Sequence, residues 1–153
     1  MDWTDWSLSY AYKDASGWHI QTVDSGRVGD DSSLQLTSTG WPAISYRDFT
    51  NGNLKYAYKD GSEWHTQVVD SIGQWGGDTS LALTPTGWPA ISYFDWTNSN
   101  LKYTYKDASG WHNQVVANGS VGLYTSLALT STGWPAISYR LDSPGTLKYA
   151  YKA

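Results

Sequence analysis

The sequence contains no cysteine, one methionine, one glutamate and two phenylalanines in 153 residues. The missing cysteine excludes a disulfide framework and a thiolate metal site, and leaves the redox compartment undetermined. The shortage of straight-chain helix formers excludes a helical bundle. No apolar run approaches the roughly 18 residues needed to cross a bilayer, and Met1-Asp2-Trp3-Thr4-Asp5-Trp6 lacks the basic and apolar blocks of a secretory signal. The chain is therefore expected to be soluble, with no membrane partner. Ten basic residues are scattered among fourteen acids, for a net charge of −4, so no patch exists that could displace phosphate counterions, and nucleic acid is not expected as a partner. What is abundant is aromatic: ten tryptophans and twelve tyrosines, residues that favour strands. The chain is expected to be all-β.

Sliding the sequence against itself reveals a repeat of about 46 residues. Trp18-His19 returns as Trp64-His65 and Trp111-His112. Gly40-Trp41-Pro42-Ala43-Ile44-Ser45-Tyr46 returns at Gly87 to Tyr93 and at Gly133 to Tyr139. Each full unit carries four short strand signals bounded by turn residues, seen at Ser33–Thr37, Trp41–Tyr46, Leu54–Lys59 and Trp64–Val69. We call these strands A, B, C and D. Leu54, Tyr56 and Tyr58 fall on one face of strand C, with Lys55, Ala57 and Lys59 on the other. Along the chain the order is C-D, two complete A-B-C-D sets, then A-B-C, which makes thirteen strands in units of approximately 1–32, 33–79, 80–125 and 126–153.

Four antiparallel strands per unit of this length define a β-propeller blade. About three blades cannot close a ring, so the expected architecture is a propeller arc closed by homo-oligomerisation, with six blades as the favoured homodimer or nine as a homotrimer. The merged blade would take strand D from one end of the chain and strands A and B from the other. Leu8–Lys13 and Leu147–Lys152 compete as its strand C, and one of them is expected to lie outside the regular ladder.

The hairpin Asn51-Gly52-Asn53-Leu54-Lys55-Tyr56-Ala57-Tyr58-Lys59-Asp60-Gly61-Ser62-Glu63-Trp64 resembles that of six-bladed fucose-binding lectins. The turn linking Asp14, Asp60 and Asp107 to Trp18, Trp64 and Trp111 is also similar to the Asp-box of sialidase-like propellers. Both resemblances imply a structural turn, with the Asp capping turn amides and the Trp packing beneath. The lectin family holds its sugar with a strand-B Arg and a strand-C Glu. Here those positions read Ser45, Ser92 and Ser138, and Tyr56, Tyr103 and Tyr149. The charged clamp is absent, so fucose binding of the family type is not expected.

Catalysis is not expected either. Arg27, Arg47 and Arg140 are the whole arginine complement, too few and too dispersed for a sialidase cluster, and Asp30-Asp31 reads as part of a solvated loop. His19, His65 and His112 fall one per repeat, too far apart to share a metal ion. No metal or other cofactor is expected. Loop aromatics remain as candidates for ligand stacking: Trp75, Trp96 and Tyr124, with Asp30 and Asp78 from the same loops as polar contacts. The expected function is thus a self-assembling, lectin-like binding protein for a glycan or small ligand. The alternative is a truncated or engineered scaffold with no ligand of its own.

Overall fold

The computed structural model describes residues 6–143 and 145–152. It contains thirteen strands: β1 (Ser7–Asp14), β2 (Gly17–Ser25), β3 (Val28–Leu36), β4 (Pro42–Asp48), β5 (Asn53–Asp60), β6 (Glu63–Ser71), β7 (Gly77–Leu83), β8 (Pro89–Asp95), β9 (Asn100–Asp107), β10 (Gly110–Asn118), β11 (Val121–Leu129), β12 (Pro135–Leu141) and β13 (Leu147–Tyr151). There is no helix among the described residues. Strands β3 to β6 and β7 to β10 form two four-stranded antiparallel meanders, flanked by the β1–β2 hairpin and the three-stranded β11–β12–β13 sheet. Successive sheets stack face to face with their first strands adjacent, β3 beside β7 and β7 beside β11. The arrangement is compatible with a β-propeller-like arc.

The strand-C alternation explains the packing. Leu54 and Tyr56 point toward the next sheet and join Leu81, Ile91 and Tyr93 in one buried cluster. Ala57, on the opposite face, joins Leu8, Val23, Ile44 and Tyr46 against the preceding hairpin. Leu101 and Tyr103 repeat the first role against Val121, Leu127 and Ile137. Large side chains from one sheet thus fill the space over small ones of its neighbour, and each fully buried Leu or Tyr contributes roughly 2–3 kcal/mol of apolar transfer.

Polar bonds stitch the same interfaces. The Leu81 amide donates to Ser33 Oγ and the Leu127 amide to Ser80 Oγ, both at 3.0 Å. Tyr46 donates its hydroxyl to Asp24 on the preceding sheet, and Tyr93 likewise to Asp70, each at 2.7 Å. Lys55 pairs with Asp24, while Lys102 reaches both Asp70 (2.7 Å) and Asp95 (3.1 Å). Burial pushes the Asp24 and Asp95 carboxyls up, but the hydrogen bonds and lysine charges outweigh it and hold both below the usual range. Burial would lower Lys102 too, yet its two aspartates leave it raised. Burial and the neighbouring aspartates push the Tyr46 and Tyr93 hydroxyls up.

One expectation needs correction. Strands β3, β7 and β11 begin earlier than the sequence pattern indicates, at Val28, Gly77 and Val121, so Asp30, Asp31, Asp78 and Tyr124 lie in strands and not in loops. Register shifts interrupt each of these ladders, and the left-handed residues Asp31 (φ 50°), Asp78 (φ 48°) and Tyr124 (φ 53°) sit at the matching place in each. Such bulges break the period-two pattern by which a strand is recognised. Within one chain both copies of strand C lie in ladders: β1 pairs with β2, and β13 pairs with β12. Both β2 and β12 offer an open edge, and each captures the nearest strand in sequence.

Candidate functional site

The bulge row forms a charged cluster at the starts of the first strands. Arg47, near the end of β4, bonds Asp30 Oδ2 through Nη2 at 2.6 Å and lies 3.8 Å from Asp31 Oδ2. Its Nη1 donates to the Gly76 carbonyl at 3.3 Å, while its buried Nε has no hydrogen-bond partner among the described residues. Gly77 makes this possible, because a Cβ there would come within 2.2 Å of Asp31 Oδ2. Asp78 lies next in the row. Burial, then the Asp31 charge, push its carboxyl up, against a hydrogen bond from the Tyr124 backbone amide and the attraction of Arg47.

The structure brings Asp30, Asp31 and Asp78 together around Arg47, but it does not join the three candidate aromatics into one surface. Trp75 stands edge-on to Phe49 (5.6 Å between ring centroids), and Phe49 in turn carries the Arg27 guanidinium at 3.8 Å. Trp96 stands edge-on to Phe94 of its own strand end at 5.9 Å. Tyr124 lies under Arg140 at 5.8 Å. All three rings are exposed, each in separate surroundings.

The turn residues behave differently from one another. Asp14 and Asp107 each accept the amide and hydroxyl of the serine two residues on, Ser16 and Ser109. Those bonds and the adjacent histidine depress both carboxyls, Asp14 to about 2. Asp60, followed by Gly61, bonds His65 at 2.8 Å. Each histidine also stacks on a tyrosine of the paired strand, as His19 does on Tyr12 at 4.9 Å. The tryptophans reach away from their own turns. Trp64 meets Tyr10 edge-on at 5.6 Å and donates Nε1 to Gln21 at 3.3 Å. Trp111 repeats this one unit later against Tyr56 at 5.5 Å and Gln67 at 3.2 Å. Trp18 remains 70 % exposed. The strand-B serines Ser45 and Ser92 are fully buried and bonded to Thr79 and Thr125, so that position belongs to the sheet interface.

A second type of site escaped the sequence reading. A groove of about 250 Å³ between the first hairpin and the next sheet is lined by Tyr10, Tyr12, Gly40, Trp41, Pro42 and Lys59. A larger groove of about 350 Å³ lies between the last two sheets and is lined by Tyr103, Tyr105, Gly133, Trp134, Pro135 and Lys152, with Gln114 beside them. These are the same six repeat positions, two units apart. Each groove combines an exposed tryptophan, two tyrosines and an ammonium group. The Tyr103 hydroxyl is pushed up to about 12 by burial and by Tyr105, so it remains a neutral donor at physiological pH. The legible signal was the recurrent Gly-Trp-Pro: because the strand starts at the proline, the tryptophan before it is left on the rim.

Neither a protein-family model nor a curated protein matches this sequence. The assignment of function therefore rests on geometry.

Proposed function

We propose that the chain is a non-catalytic β-propeller module that closes its ring by association with copies of itself and binds glycan in the aromatic grooves between blades. The observation that carries the binding reading is the recurrence of one six-residue groove at two places in the chain. A flat apolar ring flanked by hydroxyls and an ammonium suits a sugar, whose CH faces stack on indole while its hydroxyls take hydrogen bonds. The loop aromatics, dispersed as they are, serve this reading less well.

Ring closure is supported by unequal burial of equivalent positions. Leu81 is 1 % exposed but its counterpart Leu34 is 48 %, and Leu54 is 0 % exposed but Leu147 is 76 %. The faces that sheets use on each other inside the chain are bare at its two ends. A head-to-tail dimer gives six blades, and a trimer gives nine.

Light scattering on the purified chain is expected to give about 34 kDa, twice the chain mass of 17.0 kDa. A glycan array is expected to show binding that falls at least tenfold in the Trp41→Ala/Trp134→Ala double variant. An array without signal leaves a scaffold lacking a ligand of its own, and a monomeric mass at all concentrations removes the ring.

A further inference from the structure

The two copies of strand C are not equivalent, and the chemistry around them selects one. In the two internal joints a strand-C lysine has acidic partners: Lys55 has Asp24, and Lys102 has Asp70 and Asp95. At the third joint the positions matching Asp70 and Asp95 are Ala117 and Leu141. In β13 the corresponding residue is Lys148, which is exposed there, whereas β1 carries Ser9. A joint with no carboxylate suits the serine, since a buried lysine without a counter-charge is costly.

Packing agrees. Leu8 of β1 is buried and lies against Gly29, where an added Cβ would approach within 3.1 Å. Leu101 occupies the matching place against Gly122. The strand-C place beside β3 is therefore already filled by β1. By contrast, β13 leaves Tyr149 64 % exposed, although Tyr56 and Tyr103 are buried. Lys59 and Lys106 donate to Gln21 and Gln67, but Lys152 lies over the Trp134 ring at 5.0 Å.

The empty place has a matching occupant. Trp64 and Trp111 each fill a site made by a strand-C tyrosine and a strand-D glutamine of the preceding sheet. The next such pair is Tyr103 and Gln114, and both line the two cavities beside β13. The remaining tryptophan of the series is Trp18, the exposed one.

Resting on the self-association proposed above, we infer that the β1–β2 hairpin of a second copy displaces β13 from β12, seats Trp18 between Tyr103 and Gln114, brings Lys13 to the place Lys152 holds in the groove beside Trp134, and completes a four-stranded sheet shared by two chains. Register follows from the internal sheets: Ala43 opposite Tyr58 becomes Ala136 opposite Tyr12 of the other copy, in place of the intrachain pair Ala136 and Tyr151. The Leu34 amide of that copy then donates to Ser126 Oγ, as Leu81 does to Ser33.

Because the chain has no native cysteine, paired cysteines report the exchange directly. In the full-length assembly, Tyr12→Cys/Ala136→Cys is expected to oxidise to an interchain cross-link on a non-reducing gel, while Ala136→Cys/Tyr151→Cys stays unlinked. Trp18→Ala is expected to raise the dissociation constant about 100-fold, the effect of removing a buried aromatic anchor. An assembly in which Ala136→Cys/Tyr151→Cys closes within the chain, or in which Trp18→Ala associates as tightly as the parent, overturns the exchange and leaves self-association standing. A parent chain that is monomeric at all concentrations overturns the reading beneath it.

Discussion

Replacing Tyr93 by Phe isolates one of the bonds that hold neighbouring sheets together. The ring is fully buried and the hydroxyl donates to Asp70 Oδ2 at 2.7 Å. Phenylalanine keeps the packing and deletes only that bond. A hydrogen bond to a charged acceptor is worth about 1.5–3 kcal/mol. Asp70 still holds Lys102 after the change, so it is not left unpaired, and the middle of the range, about 2 kcal/mol, applies. For a domain of this size that lowers the melting temperature by about 4–8 °C. The repeat supplies its own controls. Tyr46→Phe removes the equivalent bond to Asp24 and should cost a similar amount. Tyr139→Phe should cost less than about 0.5 kcal/mol, because Ala117 stands where the aspartate would be. Urea titrations followed by circular dichroism, at one protein concentration so that association is held constant, compare the three variants. Equal losses in all three would show that the bond to aspartate is not the source of the loss, since Tyr139 has no such partner. A Tyr93→Phe variant as stable as the parent would remove these bonds from the account of how the sheets cohere.

Two further outcomes follow from the charged groups. Asp78 has a raised carboxyl, so its contribution is favourable below the ordinary carboxylate value and is lost as pH rises through the folded one; Asp78→Asn should therefore stabilise the chain at pH 7 by about 0.5–1 kcal/mol and give no gain near pH 3, read as melting temperature at both pH values. Lys102 and the Tyr46, Tyr56, Tyr93 and Tyr103 hydroxyls are all raised, the Tyr56 hydroxyl to about 12, so their stabilisation is complete below about pH 10 and is lost above it. Asp24 and Asp95 are lowered, and their stabilisation fades as pH falls below about 4. Apart from the small loss as Asp78 ionises, a melting temperature level through the neutral range and falling outside both limits is the expected profile, and a steady slope across the neutral range would contradict it.

The sequence discloses the repeat, the strand order and the two faces of strand C, because Leu-x-Tyr-x-Tyr alternation is a local property of five residues. It conceals what depends on distant partners. Asp24 and Lys55, or Asp70 and Lys102, meet only when one sheet is laid on another, and nothing in either segment marks them as a pair. The bulges at Asp31, Asp78 and Tyr124 break the alternation at the place where β3, β7 and β11 begin, so the first residues of those strands read as loops. The grooves were hidden for the opposite reason: Trp41 and Trp134 recur in every unit, and recurrence at a strand entrance reads as core. Exposure of the tryptophan follows from the proline behind it, which fixes where the strand starts.

The unlike ends of the chain carry a further consequence. In the proposed head-to-tail association, a leading face built from β3 and a trailing face built from β11 are complementary but not identical, so each copy that docked would present a fresh acceptor for another. Growth of this polar kind stops only where curvature returns the last copy to the first. A substitution that flattens the stacking angle between sheets would thus convert a discrete particle into an open fibre without altering a single residue of the contact itself.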